Sequence, residues 1–324
     1  MKKNLRNVLA LALGLMTTVS FAQDWNVDSR TRIDMSGDND KMVTNQRATL
    51  GATWGGSDWG IHVSSDVNYM LGSGAASMGI YEATATANLL GMATMTAGRQ
   101  ALNYGSGAMI SSNDWGASRT TWDGFTFDLG LSDMADITLG YANYNGGGVD
   151  EEDQGNMHVN IAGAMSGWNV NVLYMTRTSS DDAATGIDIS GGLMGASINA
   201  SMNSDWEGDE MTSYGLSYSV NDDMSVSVGM TSYGDDAGFS MAGTDMSGAD
   251  WSNGQMAYLE GNQEMLSYGL TYNLGGVSLG ASMNTVTDND AGAEDYERNV
   301  MMLDLGYDLS NNASLGLRYA TDED

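Results

Sequence analysis

The 324-residue chain contains no cysteine and no proline. Without thiols there is no disulfide, no thiolate ligand set and no cysteine nucleophile, and a structural zinc site has neither Cys nor paired His to hold it. Basic residues are scarce, 12 Lys and Arg against 42 Asp and Glu, for a formal net charge of −30. Such a chain repels nucleic acid, and no basic patch with interleaved aromatics argues otherwise. Past the first residues, no apolar run approaches the roughly 18 residues a spanning helix needs.

The start, MKKNLRNVLALALGLMTTVSFA, has basic residues (Lys2, Lys3, Arg6), an apolar centre and small residues around Phe21. This three-part layout predicts a signal peptide over 1–22, cleaved before Gln23. Removal leaves nine basic residues, with Lys41 the sole lysine, and every acidic one. No linker divides 23–324, which reads as a single domain.

Period-2 alternation dominates that domain. In WNVDSRTRIDM, Trp25, Val27, Thr31, Ile33 and Met35 share one face, and Asn26, Asp28, Arg30, Arg32 and Asp34 the other. In WGIHVSSDVNYM, Trp59, Ile61, Val63, Val67 and Tyr69 oppose His62, Ser64, Asp66 and Asn68. About 17 such segments follow one another, each near the 9–11 residues that a tilted strand needs to cross a bilayer. An odd number would become even with strands between Phe239 and Tyr258 or with a further final strand. Short turns, as at Gly55 to Asp58 or Gly192 to Gly195, alternate with long acidic loops such as NGGGVDEEDQG and TDNDAGAEDYERN. The polar strand face is mostly Ser, Asn, Gly and Thr, with charge crowded into loops. A sandwich facing bulk water usually carries charge there, whereas a narrow wet lumen does not need it. The pattern predicts an all-β, antiparallel, up-and-down transmembrane β-barrel of 16–18 strands. Aromatics at strand ends (Trp54, Trp59, Tyr69, Tyr81) are expected in interfacial girdles.

Enzymatic motifs fail on context. GVSLG (Gly276 to Gly280) matches a nucleophile elbow, but Ser278 sits in an alternating strand with no helix after it. His62 and His158 are expected to line the lumen. TDNDAGAEDYERN lacks the glycine and terminal glutamate of a calcium loop, so no resident cofactor is expected, only weak Ca2+ or Mg2+ contacts at acidic outer loops. GSGAASMG and GSG are turn glycines without the Lys-Ser/Thr of a phosphate loop.

Arginines carry a sharper signal. Arg30 and Arg32 of the first strand, Arg47 of the second and Arg318 of the last all fall on the polar face, and barrel closure would gather them. Opposed by Asp28, Asp66 and Glu82, they would set a transverse field, since charged rings are how pores sort ions. Local ion pairs that fix strand register are the equally weighted alternative.

One stretch, AGRQALNYGSGAMISSNDWGASRTTWDG (97–124), breaks the regularity. Its middle, 101–118, is too long and too uncharged for an ordinary outer loop, and Met109, Ile110 and Trp115 would let it fold inward and narrow a channel. Gly98-Arg99-Gln100, Tyr104-Gly105, Trp115 and Arg119-Thr120-Thr121-Trp122-Asp123-Gly124 together resemble the signature of alginate-export-type outer-membrane porins of Gram-negative bacteria. The resemblance covers about 27 residues. It implies a passive channel for ions and small hydrophilic solutes, in contact with outer-membrane lipid and lipopolysaccharide, assembled as a homotrimer, with Arg99, Arg119 and Asp123 at the constriction. Strict alternation instead puts Arg99 on the outer face if Thr94 and Thr96 point inward. Nine basic residues also suit a polyanion poorly, so cation-favouring or weakly selective passage is expected. A secreted structural β-protein and an outer-membrane barrel hydrolase are the other readings.

Overall fold

A computed structural model describes residues 23–35, 42–114, 116, 119–132, 135–144, 155–234, 238–244, 246–247, 249, 255–289 and 296–323. The expected signal peptide, Trp115 and the acidic runs 150–153 and 290–295 lie outside them. The described residues form 17 strands: β1 (Gln23–Asp34), β2 (Val43–Gly55), β3 (Trp59–Met70), β4 (Ala76–Leu89), β5 (Ala93–Gln100), β6 (Trp122–Ser132), β7 (Ala135–Tyr144), β8 (Gly155–Met165), β9 (Trp168–Arg177), β10 (Ala183–Leu193), β11 (Ala196–Ser204), β12 (Glu210–Ser219), β13 (Met224–Tyr233), β14 (Gln263–Leu274), β15 (Val277–Asp288), β16 (Glu297–Ser310) and β17 (Ala313–Glu323). Each pairs antiparallel with the next, an up-and-down meander from end to end. Among the described residues the count is odd. Among the described residues of 234–262 there is no strand, and β1 and β17 therefore run in the same direction. No ladder joins these two among the described residues, yet Arg32 and Arg318 are close enough for their charges to interact.

Connections alternate strictly in length. After every even-numbered strand the turn is tight, as at 166–167, 194–195 and 275–276, and after every odd-numbered one it is longer, reaching 101–121 and 234–262. Ser166-Gly167 and Met194-Gly195 show how the tight ones are made, since all four residues have positive φ between 53° and 84°. That is the left-handed pair whose twist matches two antiparallel strands, and glycine at the second place relieves half the strain.

Burial is inverted relative to a soluble protein. Leu50, Ile61, Leu216, Leu270, Leu303 and Leu317 are more than two-fifths exposed, all on the outer face. Buried positions include Arg47, Asp66, Asn156, His158, Asn203 and Asn284, all pointing inward. This is the apolar-out, polar-in alternation of a barrel that sits in lipid. Trp59 and Tyr69 stand on the outer face as expected of a girdle. Tyr81 does not. The β3–β4 register slips between Ser64 and Ser65, so that Ser64 faces Glu82 while Ser65 faces Ile80. The bulge turns Tyr81 inward beside Glu82, and it is 8% exposed.

Candidate functional site

The 101–121 segment leaves β5 and reaches two separate inner walls. Its first half packs on β8 to β11, where Leu102, Ala108, Met109 and Ile110 bury with Leu173, Met175 and Ala184. Gly105 has φ +56, and a Cβ there would collide with the Asp188 carboxylate, so only glycine lets the backbone lie this close to the wall. Ser106 Oγ meets Ser201 Oγ at 3.1 Å. Tyr104 Oη lies 3.3 Å from His158 Nε2, and His158 Nδ1 lies 3.0 Å from Asn156 Oδ1. Placing the proton on Nδ1 satisfies all three groups, with His158 donating to Asn156 and Tyr104 donating to Nε2. Burial raises the Tyr104 pKa, which keeps the phenol a donor.

The second half is held by charge. Arg30 donates to the carbonyls of Asp114 (2.7 Å) and Gly116 (2.8 Å), and Arg47 reaches Asp114 O at 3.3 Å. Arg119 runs the other way, from the segment to the wall. Its Nε and NH2 bond both oxygens of Asp66 at 3.1 and 2.5 Å, NH2 also donates to Thr49 Oγ1 at 2.8 Å, and the guanidinium lies 3.4 Å above the centre of the Tyr81 ring. Burial works against the Arg119 charge, but the hydrogen bond to Asp66, with the electrostatic fields of Tyr81, Asp66 and Asp114, outweighs it and holds the pKa above its ordinary value. Arg119 and Asp66 side chains are 11% and 9% exposed, a buried pair in which either partner alone would be an uncompensated charge.

The remaining candidates separate. Arg30, Arg32 and Arg47 gather on β1 and β2, and Arg318 of β17 pairs with Asp304 at 2.7 Å on the same inner face. Glu82 Oε2 lies 3.5 Å from His62 Nε2. Asp66 and Glu82 thus stand on β3 and β4, beside the arginines rather than across from them, and Asp28 shares β1 with Arg30. In place of the expected transverse field, a cluster of arginines on β1 and β2 adjoins carboxylates on β3 and β4 along one wall. Arg99 and Asp123 lie outside the lumen altogether. They are cross-strand neighbours joined by two 2.8 Å bonds, on the outer face of β5 and β6 with Phe125. Neither the β4–β5 nor the β5–β6 register shifts, so alternation decides against the constriction role that the resemblance implied.

Two parts of the site escaped the sequence reading. Residues of the 234–262 segment also fold inward, with Phe239, Met241 and Leu259 joining the cluster around Met109 and Ile110, and Tyr258 Oη donating to Ala108 O at 2.9 Å. Tyr81 was legible in principle. In ASMGIYEATATANL the apolar parity changes from Met78 and Ile80 to Ala83, Ala85 and Ala87, which is the trace of a bulge. Lower on the far wall, β11 to β15 line a trough of about 300 Å³ with Asn199, Ser213, Ser227, Ser267, Ser282 and Asn284 and no charged residue. Among the described residues no group of three or more His, Asp or Glu side chains is placed to hold a metal ion.

No protein-family model matches the chain, and no curated protein does either. Solved structures match its fold over nearly the whole length. Acinetobacter baumannii OccAB2 is 14% identical, with a TM-score of 0.70 over 93% of this chain and 90% of that one. Pseudomonas aeruginosa OccK2 (OpdF), solved in complex with glucuronate, is 12% identical, with a TM-score of 0.70 over 93% and 91%. Pseudomonas aeruginosa OccK11 (OpdR) is 14% identical, with a TM-score of 0.65 over 93% and 89%. The fold is that of these barrels. The resemblance to alginate-export porins rests on the 97–124 stretch alone.

Proposed function

We propose that the chain is a passive outer-membrane channel for ions and small hydrophilic solutes. The observation that carries this reading is the pairing of an apolar exterior with a polar interior across which 101–121 is fastened, an arrangement that has a purpose only around a water-filled path. The acidic outer loops concentrate cations at the mouth, so salt passes with a weak cation preference. Within the lumen, Arg30, Arg32 and Arg47 form a positive patch, and Arg47, 7% exposed, keeps a buried Nε with no hydrogen-bond partner among the described residues. A carboxylate on a small organic solute is the group that matches this patch, and glucuronate, bound in the OccK2 structure, has that chemistry. Export of a polyanion such as alginate finds no comparable support, because a few arginines cannot line a path for a polymer of like charges.

Planar-bilayer recording tests the reading. Refolded protein is expected to give discrete channels, a reversal potential of the cation-preferring sign in a salt gradient, and transient block by glucuronate that weakens in Arg47→Ala. Protein that folds to the β-sheet signature yet opens no channels sinks it.

A further inference from the structure

Asp205 opens the 205–209 turn after β11 and is 2% exposed. Its Oδ1 accepts the backbone N–H groups of Glu207 (3.1 Å) and Asp209 (3.0 Å), which tie the turn to itself. Its Oδ2 accepts the N–H of Ser240 at 2.9 Å, 35 residues away on the second inward segment. Every partner is a donor, so the site requires two acceptor oxygens, and an amide would turn an N–H against an N–H. The residues flanking Ser240 are the ones that enter the interior. Phe239 is fully buried, its ring edge-on to Tyr233 (6.0 Å) and to Tyr258 (5.6 Å), and Met241 is 3% exposed. Tyr258 then reaches Ala108 of the first inward segment. A continuous line of bonded and packed groups thus runs from an outer turn to the narrowing element.

We propose that Asp205 is a positioning residue for the constriction. Its carboxylate clasps 238–244 at the outer rim and, through Phe239 and Tyr258, holds the inner edge of 101–121 at its observed place. The width of the path is set in part from outside the lumen. This inference rests on the channel reading for its consequence, though not for its structural half.

The chain has no cysteine, so a single reporter can be introduced cleanly. Met241→Cys, refolded in detergent, is expected to react slowly with a hydrophilic maleimide. Adding Asp205→Ala should speed the reaction at least tenfold, Asp205→Asn should also speed it, and single-channel current should become larger and noisier in both. Ser240→Pro removes the bridging N–H from the other side, while also fixing φ at 240 and restricting Phe239, and serves if the Asp205 variants fail to refold. Unchanged labelling and unchanged current in these variants would overturn the clasp. Faster labelling in a protein whose parent never conducts would uphold the clasp and remove the channel reading instead.

Discussion

The two halves of the 101–121 segment are fastened to the barrel by different chemistry. On β8 to β11 the fastening is apolar packing plus hydrogen bonds between neutral groups, and on β1 to β4 it is a belt of arginines and carboxylates. Packing is insensitive to salt and costs little per contact, whereas a buried ion pair is an all-or-none arrangement whose halves are intolerable alone. The charged end therefore has most to lose from one substitution. It also leaves Arg30, Arg32 and Arg47 together on the inner face of β1 and β2.

The largest effect is expected at the charged end. Arg119→Ala strands Asp66 in a buried site and should cost about 3–5 kcal/mol of attachment, read as a large rise in single-channel current with flicker. A double replacement, Arg119→Met with Asp66→Leu, should recover most of the loss, and failure to recover would mean that the pair acts through more than mutual neutralisation. At the packed end, Ile110→Ala, fully buried in the parent, should cost about 2–4 kcal/mol in denaturant unfolding and show no salt dependence. If both variants respond equally to salt, the contrast between the two ends is wrong.

Acid provides a third test. Burial raises the Asp205 pKa, even against the N–H groups of Ser240, Asp209 and Glu207 that pull it down, and the nearby Asp209 charge raises it further. Tyr233 of β13 also faces it, and Arg177 of β9 meets Glu207 of the same turn at 3.7 Å. The N–H groups pull the pKa down because they bind the carboxylate better than the neutral acid, so their hold is lost as pH falls through the pKa, which burial raises toward milder acid. Current noise should rise on acidification, and Asp205→Ala should lack that component. A smaller change is expected for Arg30→Ala, which should move the reversal potential slightly further in the cation direction. Smallest of all, Arg99→Ala should leave conductance and selectivity untouched and cost less than about 1 kcal/mol, because its partner Asp123 is 46% exposed on the outer rim.

Much of the fold could be read in advance because its determinants are local. Alternation names the outward face residue by residue, and Gly-containing tight turns announce each reversal at one rim. The stretch 101–118 announces itself in the sequence as the place where alternation stops. Arg119 and Asp66 lie 53 residues apart, and nothing in their neighbourhoods announces that they meet. The 234–262 segment was passed over because its acidic, glycine-bearing sequence looks like any outer loop, and only Phe239, Met241 and Leu259 hint at burial. Arg99 and Asp123 were drawn toward the lumen by a family signature, although their own parity pointed outward.

By itself the sequence determined the barrel, the side of each strand that meets lipid and the rim at which each turn lies. Period-2 geometry leaves no freedom in those once the strands form. Tertiary structure alone decided which charges neutralise one another, that the inward-turned Tyr81 meets Arg119, and that two distant loops share one buried cluster. Those outcomes depend on closing the sheet into a ring, which brings together side chains that no local pattern relates.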